Sequence, residues 1–370
     1  MITYSRPKVR YAVVGLGHIA QTAVLPAFAN AEENSVLAAL VSEDPVKQRL
    51  VGETYSIKQL YSYEEYEQLL HSGLIDAVYI ALPNHMHCEY TVRAAQAGVH
   101  VLCEKPMAVT EDECQRMIAA CEANDVRLMI AYRLHFDPSN LRAIEQVQAG
   151  KIGEPRYFLS AFSLQAKEGG IRLRSATGGG SVYDIGIYCI NAARYLFQDE
   201  PLRIRAISVS SKDPRFREVD EMTSAILEFP GERLAAFTCS LGAADVSMYR
   251  IVGTKGKLLA EPAYDYAEDL IHHWSIGDET YQEHFPAHDQ FGPELVYFSQ
   301  CVQMGEQPEP SGYEGLADVR IIEAIYRSAA EGKAVLIEPL QKVKRPSMAQ
   351  VIPLPTVDTP PMIHTESPRQ

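Results

Sequence analysis

The chain has 370 residues, of which 46% are hydrophobic and 22% charged, so it is long enough for two domains with a sizeable core. Its formal net charge of −14 disfavours a nucleic-acid-binding surface and docking on anionic membranes. The seven cysteines form no CxxC pair, which is typical of reduced thiols rather than of a disulfide framework or a metal site. Without a signal-like N-terminus or an apolar run of membrane-spanning length, the sequence predicts a cytoplasmic protein.

Strand and helix patterns alternate over the first 130 residues. Predicted strands cover 8–17, 35–42, 75–83, 99–106 and 126–133, and predicted helices cover 18–31, 45–53, 62–72, 87–98 and 111–125. Strands that alternate with amphipathic helices indicate βαβ units. This part therefore predicts a Rossmann domain over residues 1–132, built on a doubly wound parallel sheet.

Beyond about residue 150 the pattern changes to successive strands with turn signals between them. These strands are predicted over 155–165, 202–211, 223–231, 233–242, 249–260 and 270–277, with helices in 178–191, at about 290–304 and over 318–332. We expect a second α+β domain over residues 133–338, built on a large, mostly antiparallel open sheet. The proline-rich residues 339–370 are predicted to form an extended tail over the surface.

The segment GLGHIA has the GxGxxA spacing between a predicted strand and a predicted helix. In that context Gly15 allows a tight turn, Gly17 lets the backbone approach a pyrophosphate, and Ala20 permits close packing of helix on strand. The start of the helix, at His18 and Ile19, offers unpaired N–H groups to the phosphates. The pattern predicts a dinucleotide site; the alternative is an ordinary glycine turn in an α/β fold.

The end of the second predicted strand bears on the choice between NAD and NADP. An acidic residue there binds the ribose 2′-hydroxyl of NAD, whereas a 2′-phosphate needs hydroxyl and cationic donors. Ser42 and Lys47 favour NADP, and Glu43 favours NAD. We expect NADP as the cofactor, with NAD as the alternative.

Glu104, Lys105 and Pro106 close the predicted strand 99–106, at the edge where doubly wound sheets bind ligands. We expect Glu104 and Lys105 to contact the cofactor. A lysine in a partly dry cleft also keeps a neighbouring phenol acidic or donates to a substrate hydroxyl. Taken alone, a lysine at a strand end is more often a solvated charge.

The segment GGGSVYDIGIYCIN places Asp184, Tyr188 and Asn191 at i, i+4 and i+7. In a helix these three polar side chains share one face, although the residues between them are nearly all apolar. A tyrosine has a pKa near ~10 and serves as a base near neutrality only if a cation such as Lys105 lowers it. Asp184 is then available to orient the lysine or hold a substrate hydroxyl, and Asn191 to bind a sugar hydroxyl. The alternative is a buried helix whose polar groups satisfy local backbone.

Four motifs, in this order, resemble the glucose–fructose oxidoreductase/inositol dehydrogenase family: GLGHIA, LPNHMH, EKP and GGGSVYDIGIY. The segments YRLHFDPSN, DIGIYCINAARYL and DVRIIEAIYRSAAEG are most similar to its glucose–fructose oxidoreductase branch. The resemblance implies catalytic roles for Lys105, Asp184 and Tyr188, and places Asn84 near the nicotinamide ribose. Arg133 is expected to contact the nicotinamide or an anionic substrate, or else to form a structural ion pair.

Together, the residues and the resemblance predict an NADP(H)-dependent oxidoreductase that acts on a sugar, a polyol or a cyclic diol, with Tyr188 as acid/base. The residues predicted around the substrate are Lys105, Arg133, Asp184 and Asn191. Two other functions stay open: a redox-neutral glycoside hydrolase that retains its nicotinamide cofactor, and a non-catalytic dinucleotide sensor. The open sheet would expose a half-apolar face, and its pairing predicts a homodimer or homotetramer.

Overall fold

The computed structural model describes residues 6–342 and 344–369. Residues 1–5 of the predicted first domain, and Val343 and Gln370 of the predicted tail, lie outside the described residues. The chain forms one sheet of six strands and one of nine. The predicted fold class, a doubly wound parallel sheet followed by a large, mostly antiparallel open sheet, is confirmed.

The first sheet is parallel throughout. Its strands are β1 (Val9–Val14), β2 (Ser35–Val41), β3 (Leu60–Tyr61), β4 (Ala77–Ile80), β5 (His100–Glu104) and β6 (Leu128–Ala131). They follow the order β3-β2-β1-β4-β5-β6. Helices cover both faces, so the inner strands are apolar along their length, and every residue of β4 is buried.

Helices connect these strands. They are α1 (Leu25–Ala27), α2 (Pro45–Thr54), α3 (Tyr66–Leu70), α4 (His87–Gln96) and α5 (Glu111–Ala123). The predicted helix 18–31 is wrong as a regular helix. A π-helical turn, Ala20–Val24, precedes the short α1, because Pro26 has no N–H with which to continue the α-helical hydrogen bonds.

The second sheet has one face on the core and one in solvent. Its strands are β7 (Pro155–Gln165), β8 (Arg203–Val209), β9 (Met222–Phe229), β10 (Arg233–Ser240), β11 (Gly242–Gly253), β12 (Gly256–Ala260), β13 (Leu270–Ile276), β14 (Glu279–Phe285) and β15 (Val335–Leu336). The order is β14-β13-β12-β11-β7-β10-β9-β8-β15, and only β7 and β10 pair in parallel. In β9, Thr223, Ala225 and Leu227 are buried and the residues between them exposed, as expected for a half-covered strand.

Four longer helices complete this half: α6 (Pro138–Gln148), α7 (Ile187–Phe197), α8 (Gly292–Met304) and α9 (Gly312–Glu331). A second π-helical turn, Val182–Gly186, precedes α7. α8 packs Leu295 and Phe298 into the core of the first sheet, where the hydroxyls of Tyr11 and Ser299 lie 2.7 Å apart. Part of the predicted second domain therefore covers the first sheet.

Two properties of the described residues bear on the class of protein. No helix in the described ranges is long and apolar enough to cross a membrane. Among these same residues, no group of three or more His, Cys, Asp or Glu side chains is arranged to hold a metal ion. All seven cysteines are buried and unpaired.

Candidate active site

Several polar residues follow the strands of the first sheet at one edge. The glycine turn follows β1, Asn84 follows β4, Lys105 follows β5, and Arg133 follows β6. The carboxyl ends of parallel strands meet at one edge of a sheet, and there doubly wound folds bind their ligands. Tyr188, from α7, meets Lys105 and Arg133 at this edge. The site therefore lies between the two halves of the molecule.

The glycine turn leaves room for a phosphate group. Gly15 has φ +94°, and a Cβ there would lie 2.5 Å from the carbonyl oxygen of Ala81. No atom lies within 4 Å of a Cβ built on Gly17, so the turn faces open space at that point. His18 and Ile19 follow in half-buried positions. This geometry fits the pyrophosphate of a dinucleotide.

Ser42, Glu43 and Lys47 lie at the carboxyl end of β2, beside the glycine turn. Ser42 is buried, and its Oγ accepts a hydrogen bond from the Asp44 N–H at 3.3 Å. Asp44 caps α2, since its carboxylate accepts from the backbone N–H groups of Val46 and Lys47. The Glu43 side chain is exposed, and that of Lys47 is half-buried.

Lys105 faces the phenol of Tyr188. Its Nζ lies 4.6 Å from the centre of the Tyr188 ring and donates a hydrogen bond to the backbone carbonyl of Asp184 at 3.0 Å. The Lys105–Pro106 peptide is cis. Asp184 belongs to the π-helical turn before α7, so this turn sets where the ammonium group lies relative to the phenol.

Arg133 places a second cation against Tyr188. Its Cζ lies 5.1 Å from the centre of the ring, and the residue is only 5% exposed. Its N–H groups donate to the side-chain oxygen of Gln290 and to the backbone carbonyl of Tyr264, and both acceptors are neutral. Within the described residues, no carboxylate forms an ion pair with Arg133 or Lys105.

These two cations lower the pKa of Tyr188. Burial raises the pKa, but the positive charges of Arg133 and Lys105 outweigh burial, so the pKa lies below the ordinary 10.0. The neighbouring Tyr264 behaves oppositely, because burial raises its pKa well above that value. Tyr188 is therefore the more acidic phenol of the two.

The carboxylate of Asp184 pairs with Arg172. Its Oδ2 lies 2.9 Å from Nη1 of Arg172, and both side chains are about one-fifth exposed. The glycine run lets the chain pass closely here: Gly180 has φ +129°, and a Cβ there would lie 2.5 Å from the hydroxyl of Tyr326. Within the described residues, Lys105 bonds to the backbone carbonyl of Asp184 and forms no ion pair with its carboxylate.

Glu104 is buried at the end of β5 and does not face solvent. It accepts a hydrogen bond from the hydroxyl of Tyr79 at 2.8 Å, and Glu294 of α8 lies 3.5 Å from the same hydroxyl. Burial raises the pKa of both carboxyls, and Glu104 raises that of Glu294 further. Both carboxyls therefore hold their protons to higher pH than an exposed glutamate does.

The two predicted asparagines bond to the protein itself. Asn84 donates to the backbone carbonyl of Gly178 at 2.8 Å, which ties the loop after β4 to the glycine run. Asn191 is 4% exposed. Its amide donates to two carboxylates and accepts from an imidazole, those of Glu314, Asp318 and His135. A substrate hydroxyl would have to replace one of these bonds.

The chain matches the sequence models of two domains of one family. Residues 9–132 match the model described as "Oxidoreductase family, NAD-binding Rossmann fold". Residues 140–259 match the model described as "GFO/IDH/MocA C-terminal domain". The chain belongs to the GFO/IDH/MocA family of oxidoreductases. The predicted family and the prediction of an oxidoreductase are thereby confirmed.

Relatives of this chain include enzymes of sugar metabolism. The NADP(+) D-xylose 1-dehydrogenase of Haloarcula marismortui is 32% identical over 338 residues, or 89% of this chain and 93% of that protein. The structure of an aldose–aldose oxidoreductase from Caulobacter crescentus, complexed with glycerol, is 39% identical with a TM-score of 0.85, over 89% of this chain and 100% of that one. A 3-ketoreductase from Actinomadura kijaniata, solved with NADP and TDP-benzene, is 28% identical with a TM-score of 0.79, over 87% and 98%.

Sequence analysis did not identify Arg172 or Glu294 as part of the site. Arg172 precedes the glycine run in a short 3₁₀ turn and follows no helical or strand period. The sequence did contain a signal for Glu294. It is an acidic residue at the otherwise apolar start of a helix, and acidic side chains are rarely buried unless they have a partner or a function. Local sequence patterns do not reveal that α8 packs on the first sheet, and this packing is what places Glu294 in the site.

Proposed function

We propose that this protein is an NADP(H)-dependent oxidoreductase that transfers hydride between nicotinamide and a CH–OH carbon of a sugar, a polyol or a cyclic diol. Tyr188 is the acid/base, assisted by Lys105. The observation that carries the proposal is a phenol between two cations, neither of which pairs with a carboxylate in the described part of the chain. A titratable group with a pKa shifted towards neutrality, in a cleft, is suited to proton transfer.

In the oxidising direction, the Tyr188 phenolate accepts the proton of the substrate hydroxyl. A bound nicotinamide supplies the hydride acceptor. Lys105 and Arg133 stabilise the phenolate before the proton arrives, and the ammonium group of Lys105, which uses one donor on Asp184, keeps two for a substrate oxygen. In the reducing direction the neutral phenol returns the proton to the carbonyl oxygen.

The residues at the sheet edge fit a phosphorylated dinucleotide. Gly15, Gly17, His18 and Ile19 would hold the pyrophosphate at the open turn. The buried hydroxyl of Ser42 and the nearby Lys47 suit a 2′-phosphate, while the exposed Glu43 is free to point into solvent. Similarity to an NADP(+) dehydrogenase supports this choice, and NAD is the alternative. Asn84, Glu104 and Lys105 are assigned to the nicotinamide side.

We assign the substrate to the carbohydrates because the relatives named above act on xylose, aldoses and a sugar nucleotide. Arg133 and Asn191 line the small cavity at Tyr188, whereas the carboxylate of Asp184 pairs with Arg172. We also propose a cytoplasmic homodimer or homotetramer. The solvent face of the second sheet exposes large apolar side chains that a second copy would cover, namely those of Tyr157, Leu159, Ile207, Ile226 and Leu234.

The test is nucleotide binding together with turnover. NADPH and NADH are titrated by fluorescence, and sugars, polyols and diols are then screened by nicotinamide absorbance with wild type, Tyr188→Phe and Tyr195→Phe. Tyr195 is a matched control, because it lies on α7 and its hydroxyl bonds to Asn140 outside the site. We expect NADPH to bind, and turnover to be lost only in Tyr188→Phe. Binding without turnover on any substrate would favour a non-catalytic sensor, and turnover by Tyr188→Phe at the wild-type rate would refute the mechanism.

A further inference from the structure

The proline-rich C-terminal segment is firmly anchored at its start. Residues 339–342 and 344–351, here called the anchor, insert polar side chains among buried carboxylates. Lys342 contacts Glu314, Arg345 lies 2.9 Å from Glu200, and the amide of Gln350 donates to Glu309 at 3.1 Å. Lys342 is only 6% exposed. The predicted surface tail is therefore partly buried, and a buried, paired lysine does not leave its partners readily.

The remainder of the segment, residues 355–369, runs along the helical stretch that follows the glycine turn. We call it the strap. Asn30 donates to the Pro355 carbonyl at 2.8 Å, and the Thr359 hydroxyl donates to the Thr22 carbonyl at 3.2 Å. Further on, the Gln21 amide forms two bonds with the backbone of Ile363, of 2.9 and 2.8 Å. The strap thus runs antiparallel to this stretch, towards the glycine turn.

At its end the strap passes from the first half of the molecule to the second. His364 pairs with Asp44, the cap of α2, at 3.1 Å. Two residues later Glu366 pairs with Lys167, just beyond β7, and Arg369 bridges to Ala166. Six residues of extended chain span about 20 Å. The strap therefore runs directly from the carboxyl end of β2 to the second sheet.

The glycine turn lies close to this crossing. Burial, and then the positive charges of Arg172 and Arg369, lower the pKa of His18 in the turn. Arg369 also lies 3.8 Å from Asp265, which follows the second sheet's β12. We infer that the strap closes over the dinucleotide groove and has to open each time the nucleotide enters or leaves. The inference rests on the proposed function, since the ligand is taken to be NADP(H).

The contacts of the strap suit a closure that opens and re-forms. Lys167 and Glu366 are 47% and 72% exposed, and His364 and Asp44 are 50% and 37% exposed. Exposed ion pairs of this kind contribute little each, whereas the buried pairs of the anchor stay closed. Four prolines, at 355, 360, 361 and 368, limit the conformations of the free strap and so reduce the entropy lost on closing.

The first test removes the strap and keeps the anchor. A chain that ends at Leu354 is compared with the full chain for the rate at which bound NADPH is released, followed by fluorescence after mixing with excess NADP. We expect release to be faster by about tenfold, as the loss of several weak contacts would produce. Thermal unfolding without nucleotide checks that the shortened chain is folded.

The second test locks the strap. Since all seven native cysteines are buried, Lys167→Cys with Glu366→Cys offers two exposed thiols for a short bismaleimide. Cross-linking after NADPH has bound should slow its release at least as strongly as truncation speeds it. Lys167→Cys alone, treated with the same reagent, is the matched control: it lacks the second thiol and cannot be cross-linked, so its release of NADPH should not be slowed.

The outcomes distinguish a failure of the inference about the strap from a failure of the proposed function. Release rates that neither truncation nor cross-linking changes would overturn the strap while leaving the nucleotide site intact. Failure of both the full and the shortened chain to bind NADPH or NADH would overturn the proposed function and the strap with it. Opposite changes in the two variants are the result that the inference requires.

Discussion

Two residues of α7, six positions apart, differ in how their surroundings balance charge. Arg194 is 1% exposed, and its guanidinium contacts three carboxylates, those of Glu200, Glu314 and Asp318, at 2.5–2.6 Å. Tyr188 lies instead beside two cations, Lys105 and Arg133, whose hydrogen-bond partners are neutral. One helix therefore contributes to a cluster in which the cation is paired with carboxylates, and to a cluster with an excess of positive charge.

The difference separates a structural network from a reactive one. A buried charge is costly unless it is paired, and the carboxylates around Arg194 meet that requirement permanently. Around Tyr188 the two cations gain a negative charge that balances them when the phenol ionises. This coupling favours the phenolate and is what a base near neutrality needs. The comparison predicts that substitutions at Tyr188 affect catalysis and that substitutions at Arg194 affect stability.

Tyr188→Phe should have the largest effect. It removes the hydroxyl of the proposed acid/base and leaves the ring packed against Phe162. We expect kcat/KM to fall by about 10²- to 10⁴-fold, with unchanged NADPH affinity and melting temperature. Initial rates on the substrate found by screening, together with thermal unfolding, measure both quantities. If the activity fell only as much as a lowered melting temperature explains, Tyr188 would act on stability, as Arg194 does, and the contrast between the two residues would be wrong.

Arg194→Met should mainly reduce stability. It keeps the length of the side chain but leaves the buried Asp318 without its cation and removes one of two cations from Glu200 and from Glu314, so the free energy of unfolding should fall by about 3–5 kcal/mol. Urea unfolding measures the change. Arg203→Met is the control, because its pair with Glu228 is about half exposed and should contribute little to stability. Equal losses in the two variants would show that the network around Arg194 is not stabilising.

The sequence was most informative where periodicity was strong. The parallel sheet and most of the second sheet follow from apolar runs and alternation, whereas β14 was missed because five of its seven residues are exposed and it shows no buried stripe. The helix α6 was also missed, although Asp137 and Pro138 form a recognisable start, with the Asp137 carboxylate accepting from the Asn140 N–H. The burial of Lys342 rests on contacts between distant segments, which local patterns do not encode.

The sequence predicted which residues form the site more fully than it predicted how they are arranged. The spacing of Asp184 and Tyr188 predicts a shared face only in a regular α-helix. The π-helical turn breaks that register, so Arg172 takes the carboxylate and Lys105 the carbonyl. The turn depends on close packing of Gly186, where a Cβ would lie 2.9 Å from the Cys239 sulfur, a tertiary contact that no spacing reveals.

Arg133→Gln should shift the pH dependence rather than abolish activity. In the proposed mechanism oxidation needs the Tyr188 phenolate, so the rate should rise with pH and level off above the pKa of Tyr188. Loss of the Arg133 charge raises that pKa, which moves the rising limb to higher pH by about one unit. At a given pH on the rising limb the oxidation rate should fall about tenfold, and on the plateau it should change little. Arg133→Lys keeps the positive charge and should return the limb to its wild-type position. In the reducing direction, which needs the neutral phenol, the falling limb should move the same way. An unmoved limb would show that Arg133 does not set the acidity of Tyr188.

Asp184→Asn should have the smallest effect, and it tests how the excess positive charge is held in place. Lys105 bonds to the backbone carbonyl of Asp184, which this substitution keeps, while the carboxylate forms only a partly exposed pair with Arg172. We expect kcat to change by less than about fivefold, with the pH limb unmoved, as for the loss of one surface ion pair. Arg172→Met should produce a change of the same size. If Asp184→Asn instead lowered kcat by two orders of magnitude or moved the limb, the carboxylate itself would be holding Lys105 or the substrate, and the π-helical turn would not be what positions the ammonium group.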